Sequence, residues 1–211
     1  MTLDYLVKKY NLDLSQPSPI EIPGVGRLDI IRWIKELDFK VGAEIGVDRA
    51  NFSKLIVDQN DQVKLYGVDP YLKYIEYREY IDQADMDRVY GLAKEKMAAS
   101  VKDGQFEFIR KPSMEALKDF KDESLDFVYI DGNHEGDFPY QDISGWAKKV
   151  KKGGLVAGHD FVRIKVLNFT IKDALKRYAK ENNLTYFVLG YHARQKGVVR
   201  DRTRSWCFVK T

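Results

Sequence analysis

The sequence predicts an α/β domain built on one mostly parallel sheet. Three observations carry that prediction. Short apolar runs alternate with amphipathic stretches from Val41 onward, the rhythm of strand–helix–strand units. The last two apolar runs, 185–189 and 205–209, have no helical pattern between them, which points to a closing antiparallel hairpin. The chain has 211 residues, 44% of them hydrophobic and 13% aromatic, enough for one buried core and of a length for one domain.

The elements follow in order. Residues 1–40 read as an N-terminal extension, with a Pro-rich lead-in (Pro17, Pro19, Pro23) and an amphipathic helix over 28–37. The domain proper is expected over 41–211. Its first strand is 41–47, followed by a helix over 50–57 and a second strand at 64–68. Residues 71–100 are charged and Tyr-rich, without Pro, and predict one or two helices. A third strand falls at 106–109, a short helix at 113–120, and a fourth strand at 125–130. A helix over 140–150 leads through a Gly153-Gly154 turn to a fifth strand at 155–159. Residues 164–181 have helical period, and the hairpin brings the total to seven strands.

Composition excludes several classes. No apolar run approaches the ~18 residues that a membrane helix needs, and the N-terminus lacks the apolar core of a secretory signal. A cytoplasmic location is the expectation. Cys207 is the single cysteine, so internal disulfides and a Cys-rich zinc site are out. It reads as a small buried hydrophobe of the last strand, and Trp33 and Trp146 read as core. The net charge of +3 is mild and does not favour nucleic acid as a partner. The excess is local. From residue 190 onward there are six basic residues against Asp201 alone. That loop either grips an anionic substrate or is a solvated surface. His192 beside it reads as a surface residue.

The first strand ends in Glu44-Ile45-Gly46-Val47-Asp48-Arg49-Ala50 and opens a helix. Gly46 allows a sharp turn and a ligand close to the main chain. The following helix offers its first N–H groups to an anion. Asp69, in Gly67-Val68-Asp69-Pro70, closes the second strand, where an acid can accept ribose hydroxyls. It can equally cap the strand beside Pro70. One glycine, where a dinucleotide fingerprint has three, argues against a nicotinamide enzyme.

At the fourth strand's end stand Asp131-Gly132-Asn133-His134, and at the fifth's end His159-Asp160. Adjacent ends of parallel strands share one crevice, so Asp131, His134, His159 and Asp160 are expected to converge. Asn133 either joins that cluster or holds the turn. Asp137 and Asp142 read as solvated helix-start residues. Tyr71, Tyr74, Tyr77 and Tyr80 are spaced by three and would share a helical face. They suit core packing, a lid or a contact within a homo-oligomer.

Together these motifs resemble a class I S-adenosylmethionine-dependent methyltransferase with a Rossmann-like sheet. Within that superfamily they are most similar to methyltransferase family 24, near the macrocin-type sugar O-methyltransferases. The resemblance covers roughly 41–161 and rests on Glu-Ile-Gly-Val, Tyr-Gly-Val-Asp-Pro-Tyr, Tyr-Ile-Asp-Gly-Asn-His and Gly-Gly-Leu-Val-Ala-Gly-His-Asp. Ala50 departs from the family's usual glycine and is tolerable if its φ is negative. The resemblance implies that Glu44 and Gly46 hold the methionine end of the cofactor, Asp69 the ribose, and Ser113 the adenine. Ser113 also suits a helix N-cap. Asp131 counts among the cofactor-binding residues and matches the Asp that holds a divalent cation in metal-dependent small-molecule O-methyltransferases. His159 and Asp160 fall on the polar pair that completes such a site, with His in place of the usual acid. His134 matches the basic residue that takes the acceptor's proton. A metal, if present, would be magnesium, or manganese or a later metal if imidazole ligates.

The function implied is O-methylation of a small hydroxyl-bearing acceptor, a sugar or glycan. The alternatives are an RNA methyltransferase of the same fold, or a catalytically silent nucleotide-binding or scaffold protein.

Overall fold

A computed structural model describes residues 1–73, 82–162, 170–190 and 203–211. The described chain runs α1 (Thr2–Tyr10), β1 (Ile20–Ile22), α2 (Arg27–Glu36), β2 (Val41–Ile45), α3 (Asn51–Gln59), β3 (Lys64–Val68), α4 (Gln83–Lys102) and β4 (Phe106–Ile109). It continues with α5 (Ser113–Ala116), a 3-10 turn (Leu117–Asp119), β5 (Leu125–Ile130), α6 (Phe138–Lys149), β6 (Val150–Gly158), α7 (Ile171–Glu181), β7 (Tyr186–Leu189) and β8 (Trp206–Val209).

One sheet of eight described strands has the order β1-β7-β8-β6-β5-β2-β3-β4. Every pairing is parallel except those of β8 with β6 and β7. The mixed sheet with its antiparallel last strand is the fold class expected. The eighth strand is new. Ile20-Glu21-Ile22 pairs with Phe187–Leu189 at the sheet edge, and its in–out–in burial is that of a half-buried strand. Three residues between Pro19 and Pro23 are too few to stand out as a strand, and their partner is more than 160 positions away.

The strands alternate between two cores. Along β7 and β8, Phe187, Leu189, Cys207 and Val209 face one cluster, and Tyr186, Val188, Trp206 and Phe208 the other. That is the period-two geometry of a pleated strand buried on both faces. The first cluster takes in Leu6 of α1, Trp33 of α2 and Ile56 of α3. The second takes in Trp146 of α6 and Leu175 of α7. Trp33, Trp146 and Cys207 are all fully buried, as expected, and burial pushes the Cys207 thiol well up.

Four local expectations need correction. The Gly153-Gly154 step is not a turn before the fifth strand: β6 starts at Val150 and passes through it. Gly153 takes a φ of +80° and the register against β5 shifts there, so the glycines make an irregularity within the strand. Ala50 has a φ of +54°, not a negative value. An L-residue in that region carries a strain of ~1–2 kcal/mol, held here by complete burial of the methyl. Tyr71 also has a positive φ and is itself not helical. It is buried against Tyr90 and Phe108, the packing role, while Tyr74, Tyr77 and Tyr80 lie outside the described residues. Finally, α7 starts after Thr170, whose hydroxyl bonds Asp173 at 2.7 Å in a capping box. The Thr-x-x-Asp signal marks that start, whereas the helix expected from 164 begins at residues outside the described ones.

Candidate active site

The strand order reverses between β2 and β5. From β2 the chain builds outward through β3 and β4, then returns to β5 on the other side. Ligands of open α/β sheets bind at such a point, outside the carboxyl ends of the strands. There the structure opens a cavity of about 1010 Å³, at the upper end of the ~300–1,000 Å³ usual for small-molecule sites. Glu44, Gly46, Asp69, Ser113, Asp131, His134, His159 and Asp160 all line it. Every residue singled out in the sequence for cofactor, metal or proton transfer is thus brought to one place.

Gly46 fixes how closely the two halves approach. Its φ is +87°, and a Cβ built on it would stand 2.2 Å from the main-chain oxygen of Asp131. Main-chain bonds hold the junction, Gly46 N to Val68 O at 2.9 Å and Asp131 N to Ile45 O at 2.8 Å. No other residue fits that turn without moving the end of β5.

Glu44 points from β2 into the crevice and is buried. It accepts a hydrogen bond from Ser53 Oγ of α3. Burial pushes its carboxyl up to about 8, with Ser53 opposing and the charges of Asp131 and Asp69 adding to the rise. A cation placed beside it would restore the ionised form.

Asp69 is more occupied than the sequence suggests. Its Oδ2 accepts the N–H groups of Val47 and Asp48 at 3.0 and 3.1 Å, and its Oδ1 accepts that of Tyr71 at 2.9 Å. Burial raises its pKa against the pull of those three bonds. A carboxylate offers about four lone-pair sites, so roughly one remains for a ligand. Asp48, in the same turn with a φ of +49°, lines the cavity beside it and can take a second hydroxyl. Sequence spacing alone did not point to Asp48.

Ser113 is the first residue of α5, and Pro112 holds the N-cap position. The serine hydroxyl donates to Asp142 Oδ1 and accepts from Trp146 Nε1 at 2.8 Å. It ties α5 to α6 rather than capping a helix. Asp142 is not the solvated residue expected: it is 4% exposed, and burial pushes its carboxyl up to about 7 with the Ser113 bond opposing. Asp137 is exposed, as anticipated.

At the ends of β5 and β6 the acids and histidines meet. His134 Nε2 lies 2.9 Å from Asp160 Oδ2 and 3.9 Å from Asp131 Oδ1. His159 Nδ1 lies 3.4 Å from Asp160 Oδ1 and 3.9 Å from Asp131 Oδ1. Burial pushes Asp131 up to about 6, with Asp160 adding and the two histidines opposing. Asp160 goes the other way. Burial would raise it, but the bonds and charges of His134 and His159 hold it far below the usual carboxylate range. Ligand atoms of Asp131, His134 and Asp160 lie within 4.8 Å of one another. Asn133 Oδ1 accepts Glu135 N at 2.9 Å and holds the turn.

Arg27, the first residue of α2, also lines the cavity. Its guanidinium lies 5.9 Å from the Phe52 ring. It comes from the expected extension, where nothing in the local pattern marks it. Of the basic loop, Arg204 is described: it pairs with Glu21 at 2.9 Å and donates to Leu189 O, which makes it a tie between strands. Residues 191–202, His192 included, lie outside the described residues. Among the described residues, no helix is long and apolar enough to cross a membrane.

A Rossmann-like sheet with a Gly turn after one strand, an acid after the next, and a polar cluster across the reversal point agrees with the resemblance to class I methyltransferases. The family of methyltransferase domains known as Methyltransf_24 matches residues 40–161, more than half the chain, and the chain belongs to that family. It is an S-adenosylmethionine-dependent methyltransferase. No curated protein matches the sequence. Solved structures show the same fold. The Bacillus cereus O-methyltransferase in complex with SAH has a TM-score of 0.61 at 15% identity, covering 99% of this chain and 90% of that one. TomG from Streptomyces achromogenes, an O-methyltransferase involved in tomaymycin synthesis and solved with SAM, has a TM-score of 0.60 at 12% identity, with 100% and 90% covered. Spermidine synthase from Thermotoga maritima also aligns, at 0.55 and 15%, with 81% and 53% covered. Likeness at that level fixes the fold, and the family match carries the reaction class.

Proposed function

We propose that the protein transfers the methyl group of S-adenosylmethionine to a hydroxyl oxygen of a small acceptor, a sugar or glycan. The observation that supports oxygen as the acceptor is the cluster of Asp131, His134 and Asp160 at one end of the cofactor crevice. Methyl transfer to a neutral hydroxyl needs a group that removes its proton as the oxygen attacks. The sugar assignment rests on the similarity of the motifs to macrocin-type enzymes.

His134 is the base in this reading. The acceptor oxygen bonds to the methyl carbon while the carbon–sulfur bond breaks, its electron pair staying on sulfur to leave S-adenosylhomocysteine. The acceptor's proton goes to the unprotonated nitrogen of the His134 imidazole, while the other nitrogen keeps its contact with Asp160. Asp160, held ionised by its histidine neighbours, then faces the imidazolium and stabilises it. That is the orienting role an acid plays beside a catalytic histidine. Glu44 faces the ammonium of the methionine end, and Asp69 with Asp48 the ribose hydroxyls.

A divalent cation fits the same cluster. Two carboxylates and one imidazole converge there, a donor set suited to manganese or a later metal as well as magnesium. Asp131 and Asp160 would hold it with His159, leaving His134 as the base, and a bound ion would lower the acceptor hydroxyl's pKa. The experiment follows SAH production from a panel of sugars before and after exhaustive chelation, with magnesium or manganese added back. Loss on chelation and recovery on addition is expected if the cluster holds a metal. Undiminished activity leaves His134 and the carboxylates as the whole apparatus. No turnover with any hydroxyl acceptor removes the proposal.

A further inference from the structure

Asp160 stands in the left-handed region, with a φ of +57°. That conformation is strained for an L-residue, although Asp adopts it more readily than most. Such outliers persist where the surrounding structure fixes them. What fixes this one is the entry to β8, which lies outside the residues matched by the family. The carbonyl of His159, in the peptide before Asp160, accepts the indole N–H of Trp206 at 2.9 Å. The N–H of Phe161, in the peptide after it, donates to the carbonyl of Arg204 at 2.8 Å. With both flanking peptide planes held, the two soft dihedrals of Asp160 have little freedom left.

The entry to β8 is anchored in its turn. Trp206 is fully buried and stands opposite Gly158 in the antiparallel pairing with β6. A Cβ on Gly158 would lie 2.5 Å from Cζ2 of the indole and 2.5 Å from the carbonyl oxygen of Ile130, so the indole fills the space of that missing side chain. Arg204 pairs with Glu21 of β1 at 2.9 Å and donates to Leu189 O of β7 at 2.9 Å. From the backbone fixed in this way, the Asp160 carboxylate reaches His134 Nε2 at 2.9 Å and His159 Nδ1 at 3.4 Å. Trp206 itself does not line the crevice. A buried indole N–H finds an acceptor wherever one is in reach. The acceptor found here belongs to the peptide that sets the direction of Asp160.

We propose that Trp206 is a positioning residue for methyl transfer: its N–H clamps the peptide between His159 and Asp160 and so aims the Asp160 carboxylate at His134. This rests on the reading of Asp160 as the acid that faces His134, and it assigns the support of that acid to a strand outside the methyltransferase motifs. Misplacing a group by ~1 Å can cost ~10²-fold in rate, so a tryptophan that touches no substrate can still govern turnover.

The test is a double-mutant cycle on the full chain, read as SAH production from the sugar panel and as SAH affinity by calorimetry. Trp206→Phe keeps an aromatic ring and removes the donor. Turnover is expected to fall ~10-fold or more, with SAH affinity and the KM for S-adenosylmethionine within ~2-fold of the wild type. Asp160→Asn suits the same backbone, removes the charge and lowers turnover by itself. Trp206→Phe added to it is expected to cost less than ~2-fold further, because a residue that acts through Asp160 then has no charge to aim. A merely structural tryptophan would slow both backgrounds by the same factor. Thermal melting confirms that each variant is folded at the assay temperature. Where the Phe variant is not, replacing Trp206 site-specifically with 3-benzothienylalanine keeps the shape of the indole and exchanges its N–H for sulfur. Full turnover in a folded Trp206 variant overturns the proposal, as do equal losses in the two backgrounds or an SAH affinity that falls in step with the rate. Full turnover in Asp160→Asn overturns it too, and leaves O-methylation standing. A wild type that methylates no hydroxyl acceptor removes the proposed function and this inference together.

Discussion

The two halves of the crevice hold their acids in opposite ways. On the β2–β3 side, Asp69 is gripped by three main-chain N–H groups and Glu44 by one buried hydroxyl. On the β5–β6 side, Asp131 and Asp160 face two imidazoles and no described main-chain donor bonds their carboxylates. The first arrangement is set by the backbone path and is complete before any ligand arrives. The second is made of titratable side chains whose bonds can be exchanged. A rigid half suits binding and an exchangeable half suits proton transfer, and the contrast predicts that changes on the two sides have different consequences.

The largest effect is expected at the hinge between the halves. Gly46→Ala places a methyl against the Asp131 carbonyl at a φ that disfavours any side chain. Left-handed strain and overpacking together should lower stability by about 3 kcal/mol, and SAH affinity should fall with it. Thermal melting and calorimetry report both. A variant as stable as the wild type would show that the halves are not locked at this turn.

Asp69→Ala should come next. It removes an acceptor of ~1.5–3 kcal/mol per charge-assisted bond and frees the turn, so SAH affinity should fall ~10-fold or more. Because the turn itself depends on this carboxylate, stability should fall too, which separates Asp69 from a residue that only touches ribose. Unchanged affinity in a folded variant would remove the ribose assignment.

The smallest effect is a pH dependence. Glu44 carries a pKa raised from 4.5 to about 8 in the folded state. Between those values the folded protein binds more protons than the unfolded chain. Stability of the ligand-free protein should therefore fall as pH rises through that window. Asp131 and Asp142, raised to about 6 and about 7, act in the same direction. Asp160 opposes them only at low pH, where its protonation would cost stability. Glu44→Gln should flatten the decline measured by denaturant titration from pH 5 to 8, and an unaltered slope would place Glu44 in a less buried setting.

The sheet and the meeting of the candidate residues in one crevice were legible because both follow short-range rules. Apolar runs such as Leu125–Ile130 can bury both faces only as inner strands, and residues at the ends of neighbouring parallel strands must meet. What stayed hidden depends on partners distant in sequence. Ile20–Ile22 is a strand only because β7 is beside it. Asp142 looks like a helix-start acid until Ser113, 29 positions earlier, is packed against it. Arg27 enters the crevice from a helix that its own amphipathic pattern explains without reference to any site. Ala50 shows the same limit at the backbone, since its positive φ follows from the path of the turn and not from the residue.

The division of labour is tested most directly on His134, by measuring SAH affinity and methyl-transfer turnover on the same His134→Ala preparation. Turnover should fall by ~10²–10⁴, the usual loss on removing a general base, while SAH binds as tightly as to the wild type. Full turnover would contradict the account, and so would an affinity that falls in step with the rate, because His134 would then belong to the half that binds.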